Sequence, residues 1–329
     1  MIKKNNVFIV AEAGNNHEGD FSVAKKLIDK ASESGADAIK FQTYDVDNFI
    51  DPKLQKSYKK FKKFSLSYEQ FYKLSQYCKK KKIIFFSTPF DLKSAIFLNK
   101  IQKIFKISSG DNNFTDLIKL ISRFNKHLII SSGLLSLNDL KNVYKVVKKI
   151  RGKNLKLSFL HCVSSYPTPL DQINLSNISL IKENFNDVNV GFSDHTIGTK
   201  APLYAVLAGA SIIEKHFTLD NKFSNFRDHA LSLNPKNFKI MVNQIRDAEN
   251  ILGEKRKIAL LLERKNLISM RRSAYASRNL KKGQILRRKD IIYLRPGSGL
   301  NEEEVTKILG KKIKVELDKS RSIKKRYFK

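Results

Sequence analysis

The stretch VNVGFSDHTIGTKAPLYAVLAGASIIEKHF, residues 188–217, shows the pattern that decides the fold. It opens with a short apolar segment, continues with a helical pattern at 200–209, and closes with a second apolar, β-branched segment at 211–217. Two such strands joined by one helix form a βαβ unit, in which the strands are parallel neighbours. The stretch therefore predicts a parallel α/β structure in which helices cover the sheet.

The same alternation continues on both sides of this stretch. Further apolar segments lie at 7–13, 38–43, 83–88, 104–109, 127–132 and 155–163. Further helical patterns lie at 21–34, 68–82, 91–100, 114–124, 136–150, 173–184 and 235–252. Eight strands alternating with eight helices predict a closed (β/α)8 barrel, or TIM barrel, and no GxGxxG follows the first strand to favour an open dinucleotide-binding sheet. The longest gap, 44–67, is predicted to be a loop over the barrel mouth.

The alternation stops after residue 252. Residues 253–272 have the pattern of a connecting helix and linker. Residues 273–329 contain short apolar segments, a Lys-Gly turn and a Pro-Gly turn, which predict a small domain with strands of its own. The predicted organisation is a barrel over 1–252, a linker over 253–272 and a small domain over 273–329.

The chain is strongly basic, with a formal net charge of +32 from 63 Lys and Arg residues against 31 Asp and Glu residues. Only 14 of those cations are Arg, and the lysines are spread along the helical patterns. Nucleic-acid binders more often gather Arg and aromatic residues on one face. The charge therefore indicates a solvated surface, with electrostatic steering of an anionic substrate as the alternative, and we expect no nucleic-acid partner.

Cysteine content and hydropathy indicate a reduced, non-membrane protein. Cys78 and Cys162 lie in a predicted helix and a predicted strand without CxxC spacing, so both are expected to be reduced. No apolar run approaches the roughly 20 residues that a bilayer span requires. The first apolar run ends at Glu12 and is better explained as a buried strand than as a signal peptide. We expect a cytoplasmic protein.

Polar residues follow the apolar part of all eight predicted strands. They are Glu12, Lys40, Gln42, Ser87, Thr88, Lys106, Ser108, Ser109, Ser131, Ser132, His161, Ser164, Ser193, Asp194, His195, Glu214, Lys215 and His216. A single Ser at a strand end is usually a helix cap, and a single buried His is usually a core residue. Eight polar strand ends are different, because barrel enzymes place their active sites there and buried polar groups need partners. A shared anionic ligand would supply those partners.

Two lysines and two histidines in this set have specific chemistry. Lys40 and Lys106, with the neighbouring hydroxyls, predict a cradle for a phosphate or a carboxylate. The alternative, a Schiff-base lysine, requires apolar surroundings that these lysines lack. His195 and His216 close adjacent strands, so both imidazoles can bind one Mn²⁺, Fe²⁺, Co²⁺ or Zn²⁺ ion. The simpler alternative is that one histidine only donates a hydrogen bond to a substrate.

Several motifs resemble those of the sialic acid synthase family, which includes N-acetylneuraminate, legionaminate and pseudaminate synthases. They are AEAGNNHEGD (11–20), IKFQTY (39–44), FSTPFD (86–91), KISSGD (106–111), HCVSSYPTP (161–169), GFSDHTIG (191–198), IIEKHFTLD (212–220) and RRSAYASRNLKKG…LRPGSG (271–299). The resemblance runs nearly end to end and in order. It implies a TIM barrel followed by an antifreeze-like (SAF) domain, which agrees with the predicted organisation.

The resemblance also implies a reaction, a metal and a set of site residues. Family members condense phosphoenolpyruvate with the open-chain aldehyde of an N-acetylated, mannose-type sugar and release phosphate. His195 and His216 match the metal ligands, usually for Mn²⁺, with Mg²⁺ or Co²⁺ as alternatives. The positions for phosphoenolpyruvate are Lys40, Thr88, Lys106, Ser109, Ser131, Ser164 and Ser193. The positions near the sugar are Gln42, Tyr166, Asp228 and, from the SAF domain of a partner subunit in a domain-swapped homodimer, Arg295.

The choices among roles and substrates follow from particular motifs. Glu12, Glu214 and His216 are the predicted catalytic residues, and the sequence does not decide which glutamate handles protons. The motif AEAGNNH resembles that of neuraminate and legionaminate synthases and disfavours pseudaminate synthesis. We expect N-acetylneuraminate synthesis first, with legionaminate second. The chain reads FRDH at 226–229 where many members read GPDH, which places Arg227 beside the sugar position. The alternative from a different class is a non-catalytic carbohydrate- or nucleic-acid-binding protein.

Overall fold

A computed structural model of the chain describes residues 6–254 and 256–328. Contacts divide the chain into two units, Met1–Gly253 and Glu254–Lys329. Each unit has an apolar core of its own.

The described part of the first unit contains eight parallel strands. They are β1 Phe8–Gly14, β2 Ala38–Thr43, β3 Ile84–Pro89, β4 Ile104–Ile107, β5 His127–Ser131, β6 Leu157–Cys162, β7 Asn189–Asp194 and β8 Ile212–His216. Their order in the sheet is β3-β2-β1-β8-β7-β6-β5-β4, so the first strand pairs with the last. This pairing curls the sheet into a nearly closed barrel and confirms the predicted TIM-type fold.

Among the residues that the structure describes, ten helices surround or cap these strands. They are α1 Phe21–Glu33, α2 Gln55–Phe64, α3 Tyr68–Lys80, α4 Leu92–Leu98, α5 Thr115–Arg123, α6 Leu137–Arg151, α7 Ser176–Asn184, α8 Lys200–Leu207, α9 Arg227–Leu231 and α10 Pro235–Leu252. Side-chain caps fix several starts: Asp20 accepts from two amides of α1, and Ser67 and Ser136 form capping boxes at α3 and α6. Eight of the ten lie where the helical patterns predict them.

The prediction of a loop over 44–67 is wrong. This segment contains a short 3-10 helix, Val46–Asn48, and the ten-residue helix α2. Helix α2 contains five lysines, which make the apolar pair Phe61 and Phe64 hard to recognise as a helical pattern in the sequence. Phe61 packs on Phe49, with ring centroids 5.3 Å apart. Aromatic packing therefore stabilises a helix that the hydrophobic pattern of the sequence alone does not predict.

Two apolar layers fill the barrel unit. The larger layer lies between the strands and the helices, and the smaller one fills the barrel interior with Phe8, Val10, Ala38, Phe86, Ile104, Ile129, Leu160 and Ile212. Successive inward positions on a strand are two residues apart. The inward position after Ala38 is therefore Lys40, and the one after Ile212 is Glu214. The interior changes from apolar to polar within one step along the strands.

The second unit is smaller and begins with two single-turn helices, α11 Leu261–Arg264 and α12 Leu267–Met270, where a connecting helix and linker were predicted. Strands β9 Ser273–Ala276 and β10 Ile291–Leu294 pair antiparallel, and α13 Glu302–Thr306 follows them. Ala274, Leu286, Val305 and Ile323 are among its buried core residues. Within the described ranges of the chain, no helix is long and apolar enough to cross a membrane.

Candidate active site

Four charged side chains lie together at the polar end of the barrel interior. Glu12, Lys40, Lys106 and Glu214 are each at most 5% exposed. Lys40 Nζ lies 2.8 Å from Glu12 Oε2 and 3.7 Å from Glu214 Oε2, and Lys106 Nζ donates to Glu214 Oε1 at 3.1 Å. Each buried cation therefore has a carboxylate partner, without which burial would be strongly unfavourable.

The two glutamates differ in charge state because their neighbours differ. Burial raises the pKa of Glu12 towards neutrality, and Lys40 offsets only part of this effect. Burial acts in the same direction on Glu214, but Lys106 and Lys40 outweigh it and hold the pKa of that carboxyl below its usual range. Ser193 Oγ also donates to Glu214 Oε1 at 2.9 Å. Glu214 therefore stays ionised, whereas Glu12 can exchange a proton near neutral pH.

The environment of the lysines argues against Schiff-base chemistry. Glu12 and Glu214 raise the pKa of Lys40 although burial alone would lower it. A lysine that stays protonated is not a nucleophile. Lys40 is therefore suited to binding an anion rather than to attacking a carbonyl carbon, and Lys106 is paired with the Glu214 carboxylate.

Hydroxyl groups surround the two lysines. Thr88 Oγ1 accepts a hydrogen bond from Lys40 Nζ at 3.1 Å. The Oγ atoms of Ser131 and Ser164 are buried and have no hydrogen-bond partner among the described residues. Because an unsatisfied buried hydroxyl costs free energy, two of them beside two cations indicate a preformed seat for an oxyanion.

Gly133 keeps this seat open. A Cβ atom at that position would lie 2.4 Å from Ser164 Oγ and 2.5 Å from Ser109 Oγ, well inside contact distance. Any other residue would therefore displace the hydroxyls of the seat. The backbone of the β5–α6 connection approaches the site as closely as it does because this residue is glycine.

His195 and His216 lie at the same end of the barrel, with ring centroids 5.5 Å apart. His195 Nδ1 donates to the carbonyl oxygen of Val163 at 2.8 Å, which leaves Nε2 as a free lone pair. His216 Nδ1 is buried and has no hydrogen-bond partner within the described chain. Burial lowers the pKa of His195 to about 4 and that of His216 to about 3, so both rings are neutral at physiological pH.

These properties fit a divalent metal ion. Neutral imidazoles, one oriented by a backbone carbonyl and one with an unpartnered nitrogen, are ordinary transition-metal ligands. In the part of the chain that the structure describes, no group of three or more His, Cys, Asp or Glu side chains is arranged to hold a metal. A metal here would need its remaining ligands from water or a substrate, which is the open coordination of a catalytic site.

A hydrogen-bonded chain of polar residues extends from Glu12 to the rim. Gln42 Nε2 donates to Glu12 Oε1 at 3.3 Å, and Asn15 Nδ2 donates to Gln42 Oε1 at 2.7 Å. Tyr44 donates from its hydroxyl to Asn15 Oδ1 at 3.2 Å. The amides of Gln42 and Asn15 are thus oriented by fixed neighbours. Asn15 was not predicted as a site residue, although it stands in the quoted AEAGNNHEGD motif.

Tyr166, Arg227 and Asp228 form a second group at the site. The Tyr166 ring packs on His195 with centroids 4.0 Å apart, and the Arg227 guanidinium lies 4.8 Å from the Tyr166 ring centroid. Arg227 Nε also lies 3.3 Å from Asp228 Oδ1. Burial raises the pKa of Asp228, and Arg227 opposes this rise. Arg227 is therefore part of the rim of the site.

Most of these side chains line one cavity of about 330 Å³, a volume typical of small-molecule sites. The cavity is lined by every catalytic, substrate-binding and metal-binding residue that the resemblance implies except Arg295, which lies in the second unit and whose role stays a prediction. Five of the polar residues predicted at the strand ends do not line it: Ser87, Ser132, His161, Asp194 and Lys215. It also has a wall that was not predicted, formed by Phe49, Phe61, Phe90 and Phe226. The available signals were the helical spacing in α2 for Phe61, the quoted FSTPFD motif for Phe90 and the FRDH stretch for Phe226.

Comparisons with known proteins identify the family of this chain. The model of the NeuB family matches residues 27–257, and the model of the SAF domain matches residues 271–325. An uncharacterized protein of Methanocaldococcus jannaschii is 44% identical over 93% of this chain and 90% of its own length. The N,N'-diacetyllegionaminic acid synthase of Campylobacter jejuni is 38% identical, over 92% of this chain and 94% of its own.

A solved structure shows the same fold. The N-acetylneuraminic acid (sialic acid) synthetase of Leptospira borgpetersenii, in complex with citrate, superposes with a TM-score of 0.75 at 34% identity. The match covers 80% of this chain and 90% of that protein. By its sequence, its barrel and the residues that line its cavity, the chain is an enzyme of the NeuB family of sialic acid synthases, and its carboxy-terminal part is a SAF domain.

Proposed function

We propose that this enzyme condenses phosphoenolpyruvate with the open-chain aldehyde of an N-acetylated, mannose-type amino sugar and releases phosphate, which makes it a nonulosonate synthase. The observation that carries this proposal is the pair of buried lysines, Lys40 and Lys106, beside the unpartnered hydroxyls of Ser131 and Ser164. This seat suits the phosphate and carboxylate of phosphoenolpyruvate. The neighbouring wall of Gln42, Tyr166 and Asp228 faces the same cavity and is proposed to bind the sugar.

The proposed reaction joins the two substrates through a new carbon–carbon bond and releases phosphate by cleavage of a C–O bond. The C3 carbon of phosphoenolpyruvate attacks the sugar aldehyde carbon and forms the new C–C bond, while the aldehyde oxygen takes up a proton. Water adds to the C2 carbon and loses a proton, and the C2–O bond to phosphate then breaks. One phosphoenolpyruvate, one sugar and one water give one nonulosonate and one phosphate.

The chain's own groups have separate roles in this proposal. Lys40 and Lys106 bind the negative charge of phosphoenolpyruvate throughout. Glu12 is the group that exchanges protons, because its carboxyl is the one that can be neutral near physiological pH. Glu214 keeps both lysines in position as a permanent anion. His195 and His216 would hold the metal, for which we propose Mn²⁺, and that ion would polarise the aldehyde as a Lewis acid.

The first candidate acceptor is N-acetylmannosamine, which would give N-acetylneuraminate. Two observations favour a second candidate, a 2,4-diacetamido-2,4,6-trideoxyhexose, which would give a legionaminate-type product. One is the aromatic wall of Phe49, Phe61, Phe90 and Phe226, which favours methyl and acetyl groups over free hydroxyls. The other is the 38% identity to a diacetyllegionaminic acid synthase.

A substrate panel tests the proposal. Purified protein with Mn²⁺ and phosphoenolpyruvate should release phosphate with one amino sugar of the panel and form a product of the matching mass. The two candidate acceptors are distinguished by kcat/KM. His216→Ala should keep the fold and lose turnover. No phosphate release with any amino sugar, from folded and metal-loaded protein, would contradict the proposed function.

The quaternary structure is proposed to be a domain-swapped homodimer in which Arg295 acts in the partner's barrel. Arg295 is exposed in the single chain, as a residue that acts on a partner must be. The segment that joins the two units also exposes large apolar side chains, with Leu261 and Leu262 each 76% exposed and Ile268 65% exposed. Exposed apolar residues in such number support an interface with a second copy.

A further inference from the structure

A fully buried ion pair lies directly behind the histidine pair. Lys215 Nζ and Asp194 Oδ2 are 2.6 Å apart, and both side chains are 0% exposed. The two residues are register partners on the adjacent strands β8 and β7. Neither belongs to the cavity described above.

The pair faces away from the barrel interior. Ser193 and Glu214 point inward, where they bond to each other, so their neighbours Asp194 and Lys215 point to the outer side of the strands. The preceding outward pair, Phe192 and Ile213, belongs to the apolar layer between strands and helices. The ion pair therefore places two charged groups directly after an apolar cross-strand pair on the outer side of the strands.

The pair also fixes the backbone that follows β7. Asp194 Oδ1 accepts from the backbone N–H of Thr196 at 2.8 Å, and Asp194 Oδ2 accepts from Thr196 Oγ1 at 3.2 Å. Lys215 Nζ donates to the backbone carbonyl of Thr196 as well. Residue 195 lies between the two fixed residues, Asp194 and Thr196. The His195 backbone is thus held on both sides, and His216 directly follows Lys215.

Stability does not explain such a pair. Replacing a buried ion pair with apolar residues of similar size is often neutral or stabilising, so the pair is weak evidence for a purely structural role. The position of the pair suggests a role other than stabilising the fold. It ties β8, one residue before His216, to the segment that carries His195, and so sets the relative placement of the two imidazoles.

We propose that Asp194 and Lys215 are positioning residues for a divalent metal ion held by His195 and His216. This inference rests on the proposed metal-binding function and goes beyond it, because it assigns metal affinity to two side chains that touch neither metal nor substrate. Groups that orient metal ligands typically change metal affinity about 10–100-fold when they are removed. The pair acts through the backbone of residues 194–196 and 215–216.

The test variant is Asp194→Asn/Lys215→Met, which removes both charges while Asn keeps an oxygen for the Thr196 N–H. The matched control is Phe192→Leu/Ile213→Val, which alters the cross-strand pair one step earlier on the same two strands. Metal affinity is measured without substrates, from the electron paramagnetic resonance signal of free Mn²⁺ during titration. Thermal unfolding of the metal-free proteins is measured alongside. His216→Ala gives the baseline for a lost site.

We expect the charge-free variant to bind Mn²⁺ at least about 10-fold more weakly than the wild type, with little change in unfolding temperature. We expect the packing control to unfold at a lower temperature and to keep wild-type affinity. Affinity within twofold of the wild type in the charge-free variant, or equal losses in both variants, overturns the positioning role while leaving the metal site intact. A wild-type protein that binds no Mn²⁺ overturns the proposed metal site and this inference together.

A milder variant covers the case in which the charge-free protein does not fold. Thr196→Val removes only the hydroxyl that donates to Asp194. Its Mn²⁺ affinity should fall in the same direction by a smaller factor. Unchanged affinity in a folded Thr196→Val protein, with the charge-free variant unfolded, would also overturn the positioning role.

Discussion

At the scale of single residues, two buried glutamates have opposite tasks. Glu12 and Glu214 lie on neighbouring strands and contact the same lysine, Lys40, yet only Glu214 has Lys106 and Ser193 as additional partners. The residue type is the same, so the surrounding charges decide which carboxyl carries a proton. The sequence identifies both residues but cannot separate their roles, because those charges come from strands far apart along the chain.

Exchange of each glutamate for glutamine separates the two roles. Glu12→Gln should lower kcat by about 10²-fold or more, as expected for loss of a proton-transfer group, with little change in the KM for phosphoenolpyruvate. Glu214→Gln should mainly raise that KM, because Lys106 and Lys40 lose the anion that holds them. Steady-state kinetics with each substrate varied in turn measures both effects. The reverse pattern would exchange the two assignments.

At the scale of elements, helix α2 contributes to the wall of the cavity, a role that its sequence pattern does not indicate. Its Phe61 packs between Phe49 and Tyr44, at centroid distances of 5.3 and 5.6 Å, and lines the cavity. Eight helices and eight strands were predictable because each has an apolar face of regular period. Helix α2 buries only Phe64 and carries five lysines, so its place is set by tertiary contacts with the 44–49 segment rather than by period.

Truncation of Phe61 tests the role of this helix. Phe61→Ala should raise the KM for the amino sugar several-fold and leave the KM for phosphoenolpyruvate unchanged, because the aromatic wall is proposed to contact the sugar and the buried lysines are proposed to bind phosphoenolpyruvate. Tyr72→Ala, on the exposed face of α3, is a matched control for loss of an aromatic ring and should change neither KM. Equal changes in both KM values would show that α2 shapes the whole site.

At the scale of the whole molecule, buried histidines make the metal-free fold sensitive to acid. Burial lowers the pKa of four histidines to about 4 or below: His17, His127, His195 and His216. The unfolded chain takes up these protons near pH 6.5, whereas the folded chain does not, so the free energy of unfolding falls as pH drops from 6.5 towards 4. Each histidine contributes roughly 1.4 kcal/mol per pH unit over this window. Glu12, with its raised pKa, acts in the opposite direction.

Urea unfolding of the metal-free protein at pH 7.5 and pH 5 measures this effect. The free energy of unfolding should be lower at pH 5. His127→Gln, a change in the barrel away from the cavity, should reduce the difference by the share of one histidine. Equal stability at both pH values would contradict the assignment of these imidazoles as neutral buried groups.

The proposed domain swap predicts that two inactive variants can restore activity together. His216→Ala destroys one barrel site, and Arg295→Ala removes the arginine proposed to serve the partner's barrel. In a mixed dimer, the barrel with intact His216 receives the intact Arg295 of the other subunit, so mixing after subunit exchange should recover activity. Absence of recovery in a sample shown to contain mixed dimers would contradict the swap. Sedimentation should give about twice the 37.8 kDa mass of one chain.

The barrel interior changes from apolar to polar between one inward position and the next. The strands of this enzyme are therefore constrained in evolution, whereas the connections between them are freer to change. A one-residue insertion within a strand would turn Lys40 or Glu214 outward and bring a core residue into the site. Insertions in the connections, such as the segment with α2 or the loop around Arg227, leave that order intact. Diversification of acceptor sugars within this scaffold should therefore proceed by loop exchange, while the strand sequences keep the carbon–carbon bond chemistry constant.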